Sequence, residues 1–336
     1  MDSVSQLALG AVVGDAVLGD KVGNRALLWG AVVGTIPDLD VVFYPLMDEV
    51  SQLGWHRGIS HSLLFNGALA LFLGWALYRI NGRRASQKHW TILSLACLLS
   101  GVLLDCFTVY GTQVFQPFSD YQVGFNNISI IDPLFTVPLL LVIVIALFLR
   151  RSRLTRRVVI LTGLALSTVY MAVTFVIKFH AESVVEESLE RQGISYGRLM
   201  TAPTLFNSVL WRATAEVSDG FYVGYYSLFD TRSEIDFRHI SSNEILLADI
   251  RHSRAVKQLL WFSDGWFTVR ESSDGSLVFS DLRFGEIYTD SERQGQFVFN
   301  WVLTTDQSGT SMTQLDPQVD DAGKAMRFLW NRIRGH

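Results

Sequence analysis

Charge is what this sequence has least of: 18% of its 336 residues are Asp, Glu, Lys or Arg, against roughly one quarter in ordinary globular proteins. With 49% hydrophobic residues and a mean hydropathy of +0.26, that shortage excludes a wholly soluble chain and points to a membrane protein. A basic surplus is lacking too. Lys and Arg number 28 against 32 Asp and Glu, a net charge of -4, so no nucleic-acid partner is expected. There are only 2 cysteines, Cys97 and Cys106, both in or beside one apolar segment, which argues against a disulfide scaffold and a thiolate metal site. No glycine-rich loop follows a strand-like run, so a nucleotide cofactor has no support.

What is present is a series of apolar runs, and a bilayer crossing needs about 20 residues. Four are strong: Ser62–Tyr78, Trp90–Leu104, Pro133–Leu149 and Val158–Ile177. Upstream, Val4–Leu18 and Ala26–Tyr44 are also apolar but rich in glycine, and they contain Asp15, Pro37, Asp38 and Asp40. Their small residues suit close helix packing, so they read as two further short or tilted spans, with re-entrant or interfacial helices as the alternative. The expected fold is a polytopic α-helical membrane bundle of about six helices. Met1–Gln6 carries no basic stretch and no clear cleavage pattern follows, so the first segment is kept in the membrane domain rather than read as a signal peptide.

Arg79, Arg83, Arg84 and Lys88 separate the third and fourth segments; Arg150, Arg151, Arg153, Arg156 and Arg157 separate the fifth and sixth. Neither loop holds an acidic residue, and both should face the cytoplasm, as should Lys21 and Arg25. Six spans then leave the N-terminus and everything beyond His180 outside. Asp15 is expected to pair with Lys21 or Arg25 near the inner face.

The distal part is a different material. Aromatic and β-branched stretches at Phe221–Tyr226, Phe267–Val269, Leu277–Phe279 and Phe297–Leu303 alternate with the turn signals Ser218-Asp219-Gly220, Ser263-Asp264-Gly265 and Ser273-Asp274-Gly275. This predicts a C-terminal β-rich extracytoplasmic domain, a small antiparallel sheet closed by a helix near residues 320–334 with Ala325, Phe328 and Leu329 on one face. The domains expected are 1–180, a helical membrane domain; 181–199, a helix extension or linker; and 200–336, the β-rich domain.

Chemistry gathers at the outer helix ends. Asp38 and Asp40 sit two apart after Pro37, and two carboxylates this close need a compensating positive charge, most simply a divalent metal. His56 and His61 are five apart, about 140° around a regular helix, so a turn at Gly58 followed by a helix start capped by Ser60 or Ser62 would converge them. Arg57 offers only donors and reads as an anion clamp. Asp105 lies at the outer end of the fourth of the six spans, Trp90–Leu104, and carboxylates at the ends of membrane helices are functional candidates. Asp132 reads as a helix-start acceptor. Asp38, Asp40, His56, His61 and Asp105 together suit zinc, manganese or iron, as one ion or two about 4 Å apart. Polar helix ends packed through hydrogen bonds are the alternative.

The stretches MDSVSQLALG at 1–10, GTIPDLD at 34–40, HRGISHSLL at 56–64 and LLDCFTVYGTQVFQPFS at 103–119, in this order, resemble the YdjM-like family of bacterial inner-membrane proteins, described as predicted membrane-bound metal-dependent hydrolases. The resemblance covers residues 1 to about 180. It implies a multi-span domain with a metal site at Asp38, Asp40, His56, His61 and Asp105, with Arg57 beside it. Two departures stand out: Gln6 and Gly101 occupy positions where many relatives carry histidine.

The implied activity is hydrolysis of a lipid or lipid-linked phosphoester or ester at the outer membrane–water interface. Asp38 or Asp105 would act as base and Arg57 would neutralise developing charge. Residues 200–336 could meet an envelope protein partner. The competing reading is a non-catalytic membrane receptor or assembly protein. Transport is disfavoured because the strong spans are almost free of ionisable residues.

Overall fold

Apolar runs punctuated by capping residues and glycines set the helices of the first 191 residues. A computed structural model describes residues 1–150, 154–232, 234–288, 295–307, 309–317 and 321–335. Arg151, Arg153, Asp320, His336 and the Arg83 side chain, all used above, lie outside that set. The chain divides into a unit of Met1–Pro45, Trp55–Phe175 and Leu205–Asn207 and a unit of Leu46–Gly54, Val176–Thr204 and Ser208–His336.

In the first unit, helix α1 (Ser3–Val22) starts where the Asp2 carboxylate accepts from the Val4 and Ser5 amides, each at 3.1 Å. It is followed by α2 (Asn24–Thr35), and the two pack backbone to backbone. A Cβ placed on Gly30 would lie 2.2 Å from the Gly10 carbonyl oxygen, and one on Gly34 would lie 2.9 Å from Gly10 Cα. Only hydrogen fits there, so the small residues of both helices set their separation. Beyond Thr35 the chain bends by 46° into a 3₁₀ segment, Pro37–Leu46; α3 (Glu49–Trp55), which follows, belongs to the second unit as far as Gly54. Next come α4 (Leu63–Asn81), capped by Ser62 Oγ accepting from the Phe65 amide at 3.1 Å, and α5 (Gln87–Cys106). Helix α6 (Pro133–Phe148) has Asp132 as its cap and Pro133 in its first turn, where the missing amide proton costs nothing. Helix α7 (Leu154–Arg191) runs 38 residues, and its part from Val176 on belongs to the second unit.

Among the described residues, α4, α5 and α7 are long and apolar enough to cross a membrane, and the bent pair of α2 with Pro37–Leu46 qualifies as a fourth if taken as one span. The expectation of about six spans is not reached. Polar Gln6, Asp15 and Asp20 dilute α1, and α6 has only 16 residues.

Asp15 corrects the sequence reading. Its carboxylate, expected at Lys21 or Arg25, is held by Arg156: Nε donates to Oδ1 at 3.2 Å and Nη2 to Oδ2. Arg156 Nη1 also donates to Asn24 Oδ1 at 2.7 Å and to the carbonyls of Ala146 at 2.7 Å and Leu149 at 3.1 Å. Arg156 is therefore not a solvated loop residue. It is buried at 2% exposure and ties α1 and α2 to the end of α6, where the last carbonyls lack the i+4 amide of a continuing helix.

The second unit contains two four-stranded antiparallel sheets rather than one, and neither is a closed barrel. The first has β1 (Leu199–Pro203), β2 (Leu210–Val217), β3 (Gly220–Ser227) and β4 (Arg238–Ser241) in that order. The second has β5 (Phe267–Glu271), β6 (Leu277–Ile287), β7 (Gln296–Asp306) and β8 (Gly309–Leu315) in order. Each expected strand falls in one of these, and the three Ser-Asp-Gly signals are turns, with φ of 159° at Gly220, 77° at Gly265 and 83° at Gly275. Trp211, Ala213 and Ala215 alternate along β2 onto Ala181, Val185 and Leu189 of α7. Helix α8 (Arg254–Phe262) lay outside the sequence expectation, although Ser253 caps it and Ala255, Val256, Leu259 and Phe262 are buried on one face. The closing helix is α9 (Ala322–Ile333). Its Phe328 is exposed to 40% while stacking on Tyr288.

Candidate metal centre

The first unit brings three motifs to one end of its helices. Asp38 lies in the first turn of the 3₁₀ segment, His61 ends the short 3₁₀ turn Ile59–His61 ahead of α4, and Asp105 sits in the last turn of α5. Two of these placements have local causes. Pro37 fixes the backbone just past the 46° bend, and Arg57 holds φ at +54°, a strained left-handed conformation that reverses the chain before His61.

Asp38, His61 and Asp105 offer ligand atoms that all lie within 4.8 Å of one another. His61 Nε2 is 3.2 Å from Asp38 Oδ1 and 3.2 Å from Asp105 Oδ2. The side chains of His61 and Asp105 are fully buried, and that of Asp38 keeps 19% of its exposure, so Asp38 marks the open side. This buried Asp-His-Asp cluster is compatible with metal coordination.

Asp40 and His56 form a neighbouring pair, Oδ1 to Nδ1 2.9 Å, outside the three. Asp40 Oδ2 accepts from Ser60 Oγ at 2.8 Å and from the Arg57 amide at 3.1 Å. The Ser60 hydroxyl has one proton and gives it to Asp40, so across its 2.9 Å contact with His61 Nδ1 it accepts. Nδ1 therefore carries hydrogen, and Nε2 is the nitrogen turned to the two carboxylates. Ser62 caps α4 as expected. Ser60 instead joins Asp40 to His61, a role its spacing did not reveal.

Two carboxylates facing one ring nitrogen require a positive charge at that point, supplied by a proton or by a metal ion. Burial disfavours the proton on His61, but the hydrogen bonds and charges of Asp105 and Asp38 outweigh it and hold the imidazolium pKa above the ordinary histidine value. A donor set of one imidazole nitrogen and two carboxylate oxygens fits zinc, manganese and iron alike.

Asp105 is the most heavily bonded member. Its Oδ1 accepts from the Met1 amino nitrogen and, at 2.8 Å, from Arg57 Nη2, while Oδ2 accepts from Gln6 Nε2 at 2.8 Å. Arg57 also donates to Thr108 Oγ1 at 2.8 Å and lies over the Tyr110 ring, 4.9 Å from its centre. Thr108 and Tyr110 stand in the sequence motif but gave no sign there of holding the guanidinium.

The two departures from the family pattern meet in space. A Cβ on Gly101 would lie 2.8 Å from Gln6 Oε1 and 3.1 Å from the Gly34 carbonyl, so the Gln6 side chain occupies the space that a side chain at 101 would enter. Gln6 is buried, and Oε1 has no hydrogen-bond partner among the described residues, leaving one more hard oxygen beside the cluster. Asp132 caps α6, with its Oδ1 accepting from the Leu134 amide at 3.0 Å and its Oδ2 from the Tyr170 hydroxyl at 2.8 Å, in keeping with a structural role. Among the described residues, no second group of three such side chains gathers elsewhere.

Residues 1–181 match a family model described as "YdjM inner membrane protein". An uncharacterized protein, YfhP of Bacillus subtilis (strain 168), is 26% identical over 237 residues, covering 67% of this chain and 68% of that protein. No solved structure matches the chain.

Proposed function

The chain belongs to the YdjM family of inner-membrane proteins, and from that premise we propose that its membrane unit is a metal-dependent hydrolase working at the membrane–water boundary. The convergence of Asp38, His61 and Asp105 within 4.8 Å supports this reading. These three would hold one divalent ion, because Asp40 and His56 satisfy each other and Gly101 brings no donor. When bound, the ion supplies Lewis acidity and a water of lowered pKa. Asp40, through Ser60, fixes the ring of His61. Arg57, anchored by Asp105 and Thr108, neutralises negative charge developing on a phosphoester or ester oxygen. Asp38, the most exposed of the three, is placed to take a proton.

A lipid or lipid-linked substrate is supported by the site's position at the ends of apolar helices and by Phe118 and Tyr121, exposed to 85% and 66% in the loop after α5, as interfacial aromatics are. Arg79, Arg84 and Lys88 lie around the turn from α4 to α5, at the opposite ends of those helices, which favours a site on the extracytoplasmic side. The β-rich unit would then also be outside, available to an envelope partner.

The competing reading is a scaffold whose polar cluster only fixes helix ends. Asp105 supports it by already having Arg57 as a counter-ion. Metal analysis of the detergent-purified chain separates the two. About one ion per chain is expected in the wild type and none in a folded Asp38→Ala/His61→Ala variant. No metal after reconstitution with zinc, manganese and iron would leave the scaffold reading.

Metal uptake should also depend on pH. The His61 pKa is raised, so its imidazolium interaction with Asp38 and Asp105 stabilises the metal-free protein at low pH and is lost as pH rises through that value. A metal competes with the same proton, so apparent affinity should rise with pH through the elevated His61 pKa and level off above it. A flat affinity profile from pH 5 to 8 would count against His61 as a ligand.

A further inference from the structure

In the β-rich unit, alternation along β2 places Trp211, Ala213 and Ala215 against α7, so Arg212 and Thr214 face the other side of the sheet. Arg212 is 4% exposed. Its Nη1 donates to Thr214 Oγ1 at 2.9 Å and to the Leu282 carbonyl, while Nε and Nη2 are buried with no hydrogen-bond partner among the described residues. A guanidinium in that state is a cation taken out of water without a counter-ion.

Among the described residues the surroundings supply none. Glu286 is occupied: Arg238 Nη2 donates to both its oxygens at 2.6 Å, and the Tyr288 hydroxyl donates to Oε2 at 2.9 Å. Among the described residues the cluster thus holds two guanidinium charges against one carboxylate. The Arg212 stem runs beside the β6 irregularity between Asp281 and Glu286, where Gly285 has φ of +80° and a Cβ would be in ordinary contact with Arg212 Cδ at 3.4 Å. Tyr225 pairs with Arg212 across β2 and β3, on the same face, and its hydroxyl lies beside the guanidinium, its pKa raised by burial. Tyr225 and Tyr288 are half-buried, with ring centres 6.2 Å apart, and Phe328 of α9 stacks on Tyr288 at 4.7 Å.

We propose that Arg212 forms the floor of an oxyanion-binding site in the β-rich unit, receiving one carboxylate or phosphate group on its Nε–Nη2 edge, with the Tyr225 hydroxyl alongside. That edge presents two parallel donors, the geometry in which guanidinium binds planar carboxylates and phosphates. None of its residues belongs to the metal centre.

The test uses the full chain in detergent with EDTA, melted by tryptophan fluorescence in rising sodium phosphate or sodium acetate at an ionic strength held constant with sodium chloride. A saturable rise of several degrees with either anion, absent in Arg212→Met and weakened at least tenfold in midpoint concentration by Arg212→Lys, is expected. The responding anion names the group recognised. No saturable rise with either anion, or the same rise in Arg212→Met, overturns the proposal. Should Arg212→Met not fold, Arg212→Lys and Tyr225→Phe decide: an unchanged midpoint in both also overturns it.

Discussion

Replacing Asp105 with leucine is expected to lower the stability of the membrane unit by about 3–5 kcal/mol, because Arg57 would be left buried without its carboxylate. Asp38→Asn should cost no more than about 1 kcal/mol, the worth of one hydrogen bond at a side chain that is still 19% exposed. Both should lose tightly held metal. Denaturant melts of the purified chain, read beside its metal content, separate the roles: Asp105 serves fold and site together, Asp38 mainly the site. If Asp105→Leu melts like the wild type, the Arg57–Asp105 pair is not holding the helix ends together.

The second large effect is expected far from the metal centre. Asp15→Asn and Arg156→Met should each destabilise by about 3–5 kcal/mol, since each strands a buried charge. The double variant should cost clearly less than the sum, by more than about 1 kcal/mol in a double-mutant cycle, because no charge is then left alone. It should not fully recover, as the Ala146 and Leu149 carbonyls lose the Arg156 Nη1 donor in both Arg156→Met backgrounds, and Ala146 keeps only the Leu149 amide. Additive costs would mean that the two residues act separately.

These two pairs show where reading the sequence stops. Hydropathy and capping residues located the helices, because burial in lipid and the first-turn amide requirement leave local marks such as Ser62 and Asp132. Alternating aromatic residues and Ser-Asp-Gly turns located β3, β5, β6 and β7 for the same kind of reason. The division into two sheets did not show, since which strands share hydrogen bonds depends on pairing between distant segments. Helix α8 was missed although Ser253 and the spacing of Ala255, Val256, Leu259 and Phe262 carry its signature. Arg156 resembled its basic neighbours in the loop, and nothing within a turn of it points to Asp15.

The sequence by itself determined that the chain has an apolar helical part and a strand-rich part, and that its carboxylates and histidines stand at helix ends. These follow from forces acting between near neighbours: periodic burial, capping and turn geometry. Only the tertiary structure decided that Asp38, His61 and Asp105 meet, that Asp40 orients His61 through Ser60, and that Gln6 fills the space beside Gly101. Such choices depend on how helices cross, and the crossing is set where Gly10 and Gly30 let two backbones touch. Convergence of side chains from four segments is a property of that packing, which no single stretch of the chain contains.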